Sequence, residues 1–179
     1  MKRIAALLTV VVVGVAPALV AAPASAHGPY CGIRWGSTPE SRSTGSTGEL
    51  ADVRAGRHAC FDRLVLDLSG DARGYSVRYV DQVRSDGSGT VVPVRGGARL
   101  EVVVTAPPKP TDSWFRSDGR LIDTTGYRTF RDVAWAGSCG HEAQSTLGLG
   151  VRARLPFRVL LLDGPGDGSR MVVDVAHRW

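Results

Sequence analysis

The chain has 179 residues, of which 43% are hydrophobic, with 22 basic and 17 acidic side chains and a formal charge of +5. The two signs are interleaved rather than grouped, which excludes the concentrated basic footprint of a nucleic-acid or membrane-surface binder. The length is enough for one domain with a core of its own.

Lys2 and Arg3 open the chain, residues 4–20 are an almost purely apolar run, and Ala24-Ser25-Ala26 supplies the small-x-small pattern that signal peptidase needs. Residues 1–26 are therefore expected to be a signal peptide, with His27 first in the exported chain and no membrane span after cleavage. The small-residue site argues against the alternative of an uncleaved anchor. His27-Gly28-Pro29-Tyr30, just before Cys31, does not fit a lipid-attachment site. Cleavage removes Lys2 and Arg3, so 22 basic residues become 20 against 17 acidic and the charge falls from +5 to +3. An exported chain meets oxidising conditions. Cys31 and Cys60 are expected to pair, and closing a loop of that size is worth roughly 3–4 kcal/mol on the chain-entropy model. Cys139 is left free or pairs between molecules.

Residues 37–48 are rich in Ser, Thr and Gly and read as a flexible loop. Residues 27–49 are thus expected as an N-terminal extension, ahead of a domain over 50–179. From Leu50 onward strands are expected near 50–57, 61–69, 74–81, 89–95, 98–105, 129–136, 144–153, 157–163 and 170–177. Ser69-Gly70-Asp71, Ser85-Asp86-Gly87 and residues 164–168 provide turns between them. Gly96-Gly97 between two apolar runs reads as a two-residue hairpin. No segment holds a 3.6-residue apolar period, so helix is expected to be scarce, with at most one turn within residues 113–121. Nine short strands in about 130 residues make an all-β antiparallel sandwich or barrel the expected class.

Two of these strands repeat one pattern. Arg63-Leu64-Val65-Leu66-Asp67-Leu68 and Arg170-Met171-Val172-Val173-Asp174-Val175 both alternate Arg, Val and Asp with apolar residues. In an extended chain this sends Leu64, Leu66 and Leu68, or Met171, Val173 and Val175, to one face. Arg63, Val65 and Asp67, with Arg170, Val172 and Asp174, are expected on a wet outer face. On each strand Arg and Asp stand about 13 Å apart along that face. Arg63, Asp67, Arg170 and Asp174, with Tyr75, Tyr79 and Trp135 as neighbouring rings, are the candidate ligand-binding residues. A guanidinium offers a fork to carboxylates, and a ring offers a flat apolar face to sugars. The alternative is an ordinary charged sheet face kept polar against edge pairing.

Catalytic signals are missing. There is no Gly-x-Ser-x-Gly elbow, and the acids Asp67, Glu101, Asp163 and Asp174 stand in no distinctive context. His27, His58, His141 and His177 read as structural or exposed. Cys139-Gly140-His141-Glu142 is the densest group of ligand-type side chains, but a metal site would need more ligands elsewhere. No catalytic residue, metal or cofactor is expected.

Residues 61–68, followed by 74–80, resemble the opening of the AMIN-type domain, which is found beside cell-wall amidases and in envelope secretion proteins. The chain as a whole is more similar to the AMIN-like domain proteins of actinobacteria, through residues 31–36, 53–68, 126–137, 148–162 and 172–179. After cleavage all basic residues but Lys109 are arginine, and asparagine is absent, in keeping with a high-GC genome. The resemblance implies a β-sandwich of two similar sheets, which the repeated hexad fits. It also implies a non-catalytic module that targets the envelope by binding peptidoglycan. The expected protein is therefore secreted or wall-associated, with peptidoglycan as partner. A protein–protein interaction domain at the envelope is the alternative, and an uncharacterised hydrolase a third reading.

Overall fold

Alternation along the two hexads is obeyed on their inner side. In the computed structural model, which describes residues 29–45, 48–71, 74–109, 120–139 and 143–179, Leu64, Leu66, Leu68, Met171, Val173 and Val175 are all buried. The described residues form eleven strands and no helix: β1 (Glu40–Arg42), β2 (Glu49–Arg57), β3 (Phe61–Ser69), β4 (Tyr75–Val80), β5 (Val83–Arg84), β6 (Val91–Val92), β7 (Ala98–Val104), β8 (Phe130–Cys139), β9 (Gln144–Val151), β10 (Phe157–Asp163) and β11 (Ser169–Ala176). They make a four-stranded sheet in the order β10-β11-β3-β2, a five-stranded sheet β1-β4-β7-β9-β8, and a small β5-β6 ribbon. Every pairing within these sheets is antiparallel.

The expected sandwich is the architecture found. The repeated hexads do not mark two equivalent sheets, however. β3 and β11 are neighbours in the same four-stranded sheet. Their inner row packs against Leu100, Val102 and Val104 of β7, Leu147, Leu149 and Val151 of β9, and Phe130 and Val133 of β8 in one continuous core.

The two outer faces differ. That of the five-stranded sheet is covered by the ribbon, where Val83 and Val94 form a second cluster with Ala136. β9 lies beneath it, buried on both sides. A Cβ on Gly148 would lie 2.6 Å from a Val94 methyl, and one on Gly150 would lie 1.8 Å from the Arg95 carbonyl oxygen. These glycines let the ribbon lie directly on the sheet.

Two expectations change. Gly96-Gly97 does not turn a hairpin: β6 pairs with β5, and β7 with β4 and β9. The two glycines instead press against the end of β9, where Cβ atoms would meet Val151 O at 2.6 Å and Arg152 O at 2.2 Å. Within the stretch read as a flexible loop, Glu40–Arg42 pairs with Tyr75–Val77. This three-residue edge strand buries little, so it shows no apolar alternation to read. Of the suggested helical turn, residues 113–119 lie outside the described residues, and Arg120 and Leu121 are not helical.

The Cys31–Cys60 disulfide forms as expected, with Cα atoms 6.4 Å apart. It fastens the N-terminal segment beside the start of β3. Gly36 then exchanges two backbone hydrogen bonds with Phe157, at 2.7 and 3.4 Å.

Leu66 is fully buried in the shared core. Leu66→Ala is expected to cost about 2–5 kcal/mol through lost transfer energy and the cavity left behind. Urea unfolding measures this as a lower midpoint with an unchanged slope.

Candidate binding site on the outer sheet face

Each hexad places its Arg four residues before its Asp. When two such strands pair antiparallel, each Arg meets the other strand's Asp. The observed register does this: Arg170 opposes Asp67, Val172 opposes Val65, and Asp174 opposes Arg63. The flanking strands extend the rows, with Arg158 of β10 opposite Asp174 and Arg54 of β2 opposite Val65. The outer face is thus a lattice in which each carboxylate sits among guanidinium groups.

The two carboxylates are treated differently. Asp174 accepts a fork from Arg63, Nε to Oδ1 at 2.6 Å and Nη2 to Oδ2 at 2.9 Å. Arg158 adds Nε and Nη2 on Oδ2, at 2.9 and 2.8 Å. The expectation that Asp174 is a solvated surface residue is corrected, because it is completely buried. It does point away from the core, but arginines and rings seal it. The Arg63 guanidinium lies 5.2 Å from the Phe61 ring centroid, and that of Arg158 lies 5.4 Å from Trp35 and 5.5 Å from Phe61. His58 stacks on Phe61 at 4.5 Å, and Trp35 Nε1 donates to Tyr30 O at 3.0 Å.

Asp67 remains one-quarter exposed. It receives a full fork from Arg54, Nε at 2.5 Å and Nη2 at 3.1 Å. Arg170 approaches Asp67 Oδ1 only to 3.4 Å through its Nε. That Nε is buried and has no hydrogen-bond partner.

Between these rows lies a groove of about 240 Å³. Arg54, Arg63, Arg170 and His58 line it with cations and donors, and Ala55, Gly56, Val65, Val172 and Leu162 give it an apolar lining. Val65 and Val172 are buried although they point outward, since long arginine stems lie over apolar neighbours while their heads reach water.

Of the sequence candidates, Arg63, Asp67, Arg170 and Asp174 are brought together here. Tyr75, Tyr79 and Trp135 are not. Their registers with Val104, Leu100 and Leu147 turn them to the core side of the five-stranded sheet. Tyr79 donates its hydroxyl to Leu155 O at 2.5 Å and accepts the Leu155 N–H at 2.9 Å. Burial pushes the Tyr79 phenol up to about 12, against the lowering effects of the Leu155 hydrogen bond and of Arg154. The rings beside the arginines are instead Phe61, Trp35 and His58. Arg158 was open to sequence reasoning, because Phe157, Val159 and Leu161 alternate inward and leave it outside. Trp35 had no such signal, since a disulfide and a chain crossing bring it here.

A second groove of about 360 Å³ beside the ribbon includes Arg95 and Arg99. Its cations are already engaged: Arg99 Nε donates to Val94 O at 3.1 Å, and Arg95 Nε lies 3.5 Å from the buried Asp132. Inside the sandwich, Thr129 Oγ1 lies 2.9 Å from His177 Nδ1, and His177 Nε2 lies 3.0 Å from His58 O. A carbonyl oxygen only accepts, so His177 Nε2 carries a proton and donates it to His58 O. Thr129 is completely buried, so this pair has no access to a substrate. Asp62, also buried, accepts the Thr129 and Phe130 N–H groups at 2.6 and 3.0 Å and pins β8 to β3. Gly140, His141 and Glu142 of the ligand-type cluster lie outside the described residues.

The family model for the AMIN-like domain matches residues 48–177, a span that takes in β2 to β11. No curated protein and no solved structure matches the chain.

The contrast between the two carboxylates is measurable. Asp174→Ala leaves two guanidinium groups without their buried partner and is expected to cost about 3–5 kcal/mol. Asp67→Ala is expected to cost roughly 0–1 kcal/mol. Equal losses in urea unfolding would contradict the assignment. Tyr79 is a group whose folded pKa lies above its unfolded value near 10. Its contribution is therefore complete below about pH 10 and is lost as pH rises towards 12. Tyr79→Phe is expected to flatten the loss of stability across that window.

Proposed function

Because the chain belongs to the AMIN-like domain family, we propose that it is a secreted, non-catalytic envelope module that holds peptidoglycan on the outer face of its four-stranded sheet. The groove among Arg54, Arg63 and Arg170 carries this reading. Peptidoglycan is a glycan bearing peptide stems with free carboxylates, and arginine forks on a partly desolvated surface suit such groups. The other outer face is roofed by the β5-β6 ribbon.

The Cys31–Cys60 disulfide supports an extracytoplasmic location. Among the described residues, no helix is long and apolar enough to cross a membrane. A binding role is supported over catalysis by the sealing of Thr129 and His177 inside the sandwich. Nothing in the proposed contact calls for a cofactor.

Co-sedimentation with purified peptidoglycan tests the proposal. The protein is expected to pellet with the wall where a charge-matched control does not. Replacing Arg54 and Arg170 together by Ala should reduce retention several-fold with little change in melting temperature, since Asp67 stays partly solvated. Arg63→Ala is a poor probe, because it uncovers Asp174. Added salt should also weaken retention, through screening of exposed charge. Unchanged retention in the double variant would overturn the assignment of this face.

A further inference from the structure

The outer face carries four guanidinium groups, on Arg54, Arg63, Arg158 and Arg170, against the carboxylates of Asp67 and Asp174. Asp52, opposite Asp67 at the rim, is exposed, and its Oδ1 already accepts the Val53 N–H at 2.8 Å. Positive charge remains in excess. It is also unevenly satisfied. Three of the four arginines make two-nitrogen contacts with a carboxylate, whereas Arg170 makes no hydrogen bond to one and holds a buried Nε without a partner. A buried donor left unmade is costly, and a guanidinium presents its donors as a planar fork matched to a carboxylate. Arg170 is therefore the one arginine of the lattice with no hydrogen bond to a carboxylate, its ion pair with Asp67 standing off at 3.4 Å, and its one-third-exposed side chain lines the groove.

The groove's shape narrows the partner. About 240 Å³ is below the roughly 300–1,000 Å³ typical of sites for drug-sized molecules, so it has room for one small residue rather than a disaccharide. Its apolar lining of Val65, Val172 and Leu162 is aliphatic. The neighbouring rings of Phe61 and Trp35 are already taken up by Arg63 and Arg158, and the His58 ring is stacked on Phe61, so little aromatic surface is left for a sugar.

We propose that this groove binds the free C-terminal carboxylate of a peptide ending in a small apolar residue, with Arg170 as the anchoring cation and the terminal methyl-sized side chain against the exposed Leu162. This rests on the wall-binding reading above and specifies it: the module would hold peptide stems by their free ends, not the glycan.

Calorimetric titration of the full chain with diacetyl-lysyl-D-alanyl-D-alanine and with its C-terminal amide tests this, alongside wall co-sedimentation. The acid is expected to bind at least tenfold more tightly than the amide and to displace the protein from the wall. Arg170→Ala should remove that preference while the melting temperature holds, and Arg170→Lys should restore only part of it. Wall retention together with equal or absent binding of acid and amide would overturn the carboxylate site and leave the wall-binding reading standing. Binding of the acid without wall retention would overturn the wall-binding reading and uphold the carboxylate site. Absence of both would overturn both.

Discussion

Pairing of β3 with β11 fixes both the core and the outer surface of this protein. Two strands with the same Arg-to-Asp spacing run antiparallel, so each cation lands opposite an anion in a single register. A slip of one residue would turn the inner leucines and valines to the outside and set the arginines against apolar side chains. The ion pairs and the hydrophobic core therefore select the same alignment. Asp174 belongs to this logic. A buried carboxylate adds little net stability over an apolar core, but held by Arg63 and Arg158 it is satisfied only when β10, β11 and β3 are all in place.

The lattice is asymmetric, and its surroundings account for the asymmetry. At the Asp174 end the Cys31–Cys60 disulfide delivers Trp35 to Phe61 and Arg158, closing that end against water. At the Asp67 end Arg54 supplies the fork, no ring among the described residues covers the carboxylate, and Arg170 stands off at 3.4 Å. The sandwich also has one roofed outer face and one open one. On the five-stranded side, Gly148 and Gly150 bring the β5-β6 ribbon into contact with β9. The four-stranded side has no such ribbon among the described residues, and its Arg54 and Arg170 reach the solvent.

Period-two alternation made most strands legible, because each buries one face and the chain must record it. Leu64, Leu66 and Leu68 and their counterparts on β11 are the clearest case. Alternation states which side a residue takes, not what lies above that side. Alternation places Asp174 outward, but its burial comes from Arg158, Trp35 and Phe61, which lie in separate parts of the chain. The parity of Tyr75 and Tyr79 with Val77 puts them on the core side of the other sheet and not beside the arginines. β1 is not legible, because an edge strand held by main-chain hydrogen bonds leaves no apolar pattern. Gly96-Gly97 reads as a turn, but the glycines answer to a close backbone contact that only the folded chain reveals.

On the proposed function, the arginine lattice and not another surface meets the wall. Amide chemical-shift mapping with soluble muropeptides tests it most directly, since every strand reports separately. Perturbations are predicted to cluster at residues 54–56, 63–65 and 170–172. A cluster on the β5-β6 ribbon or along β4 and β7, with the four-stranded sheet unmoved, would contradict the account.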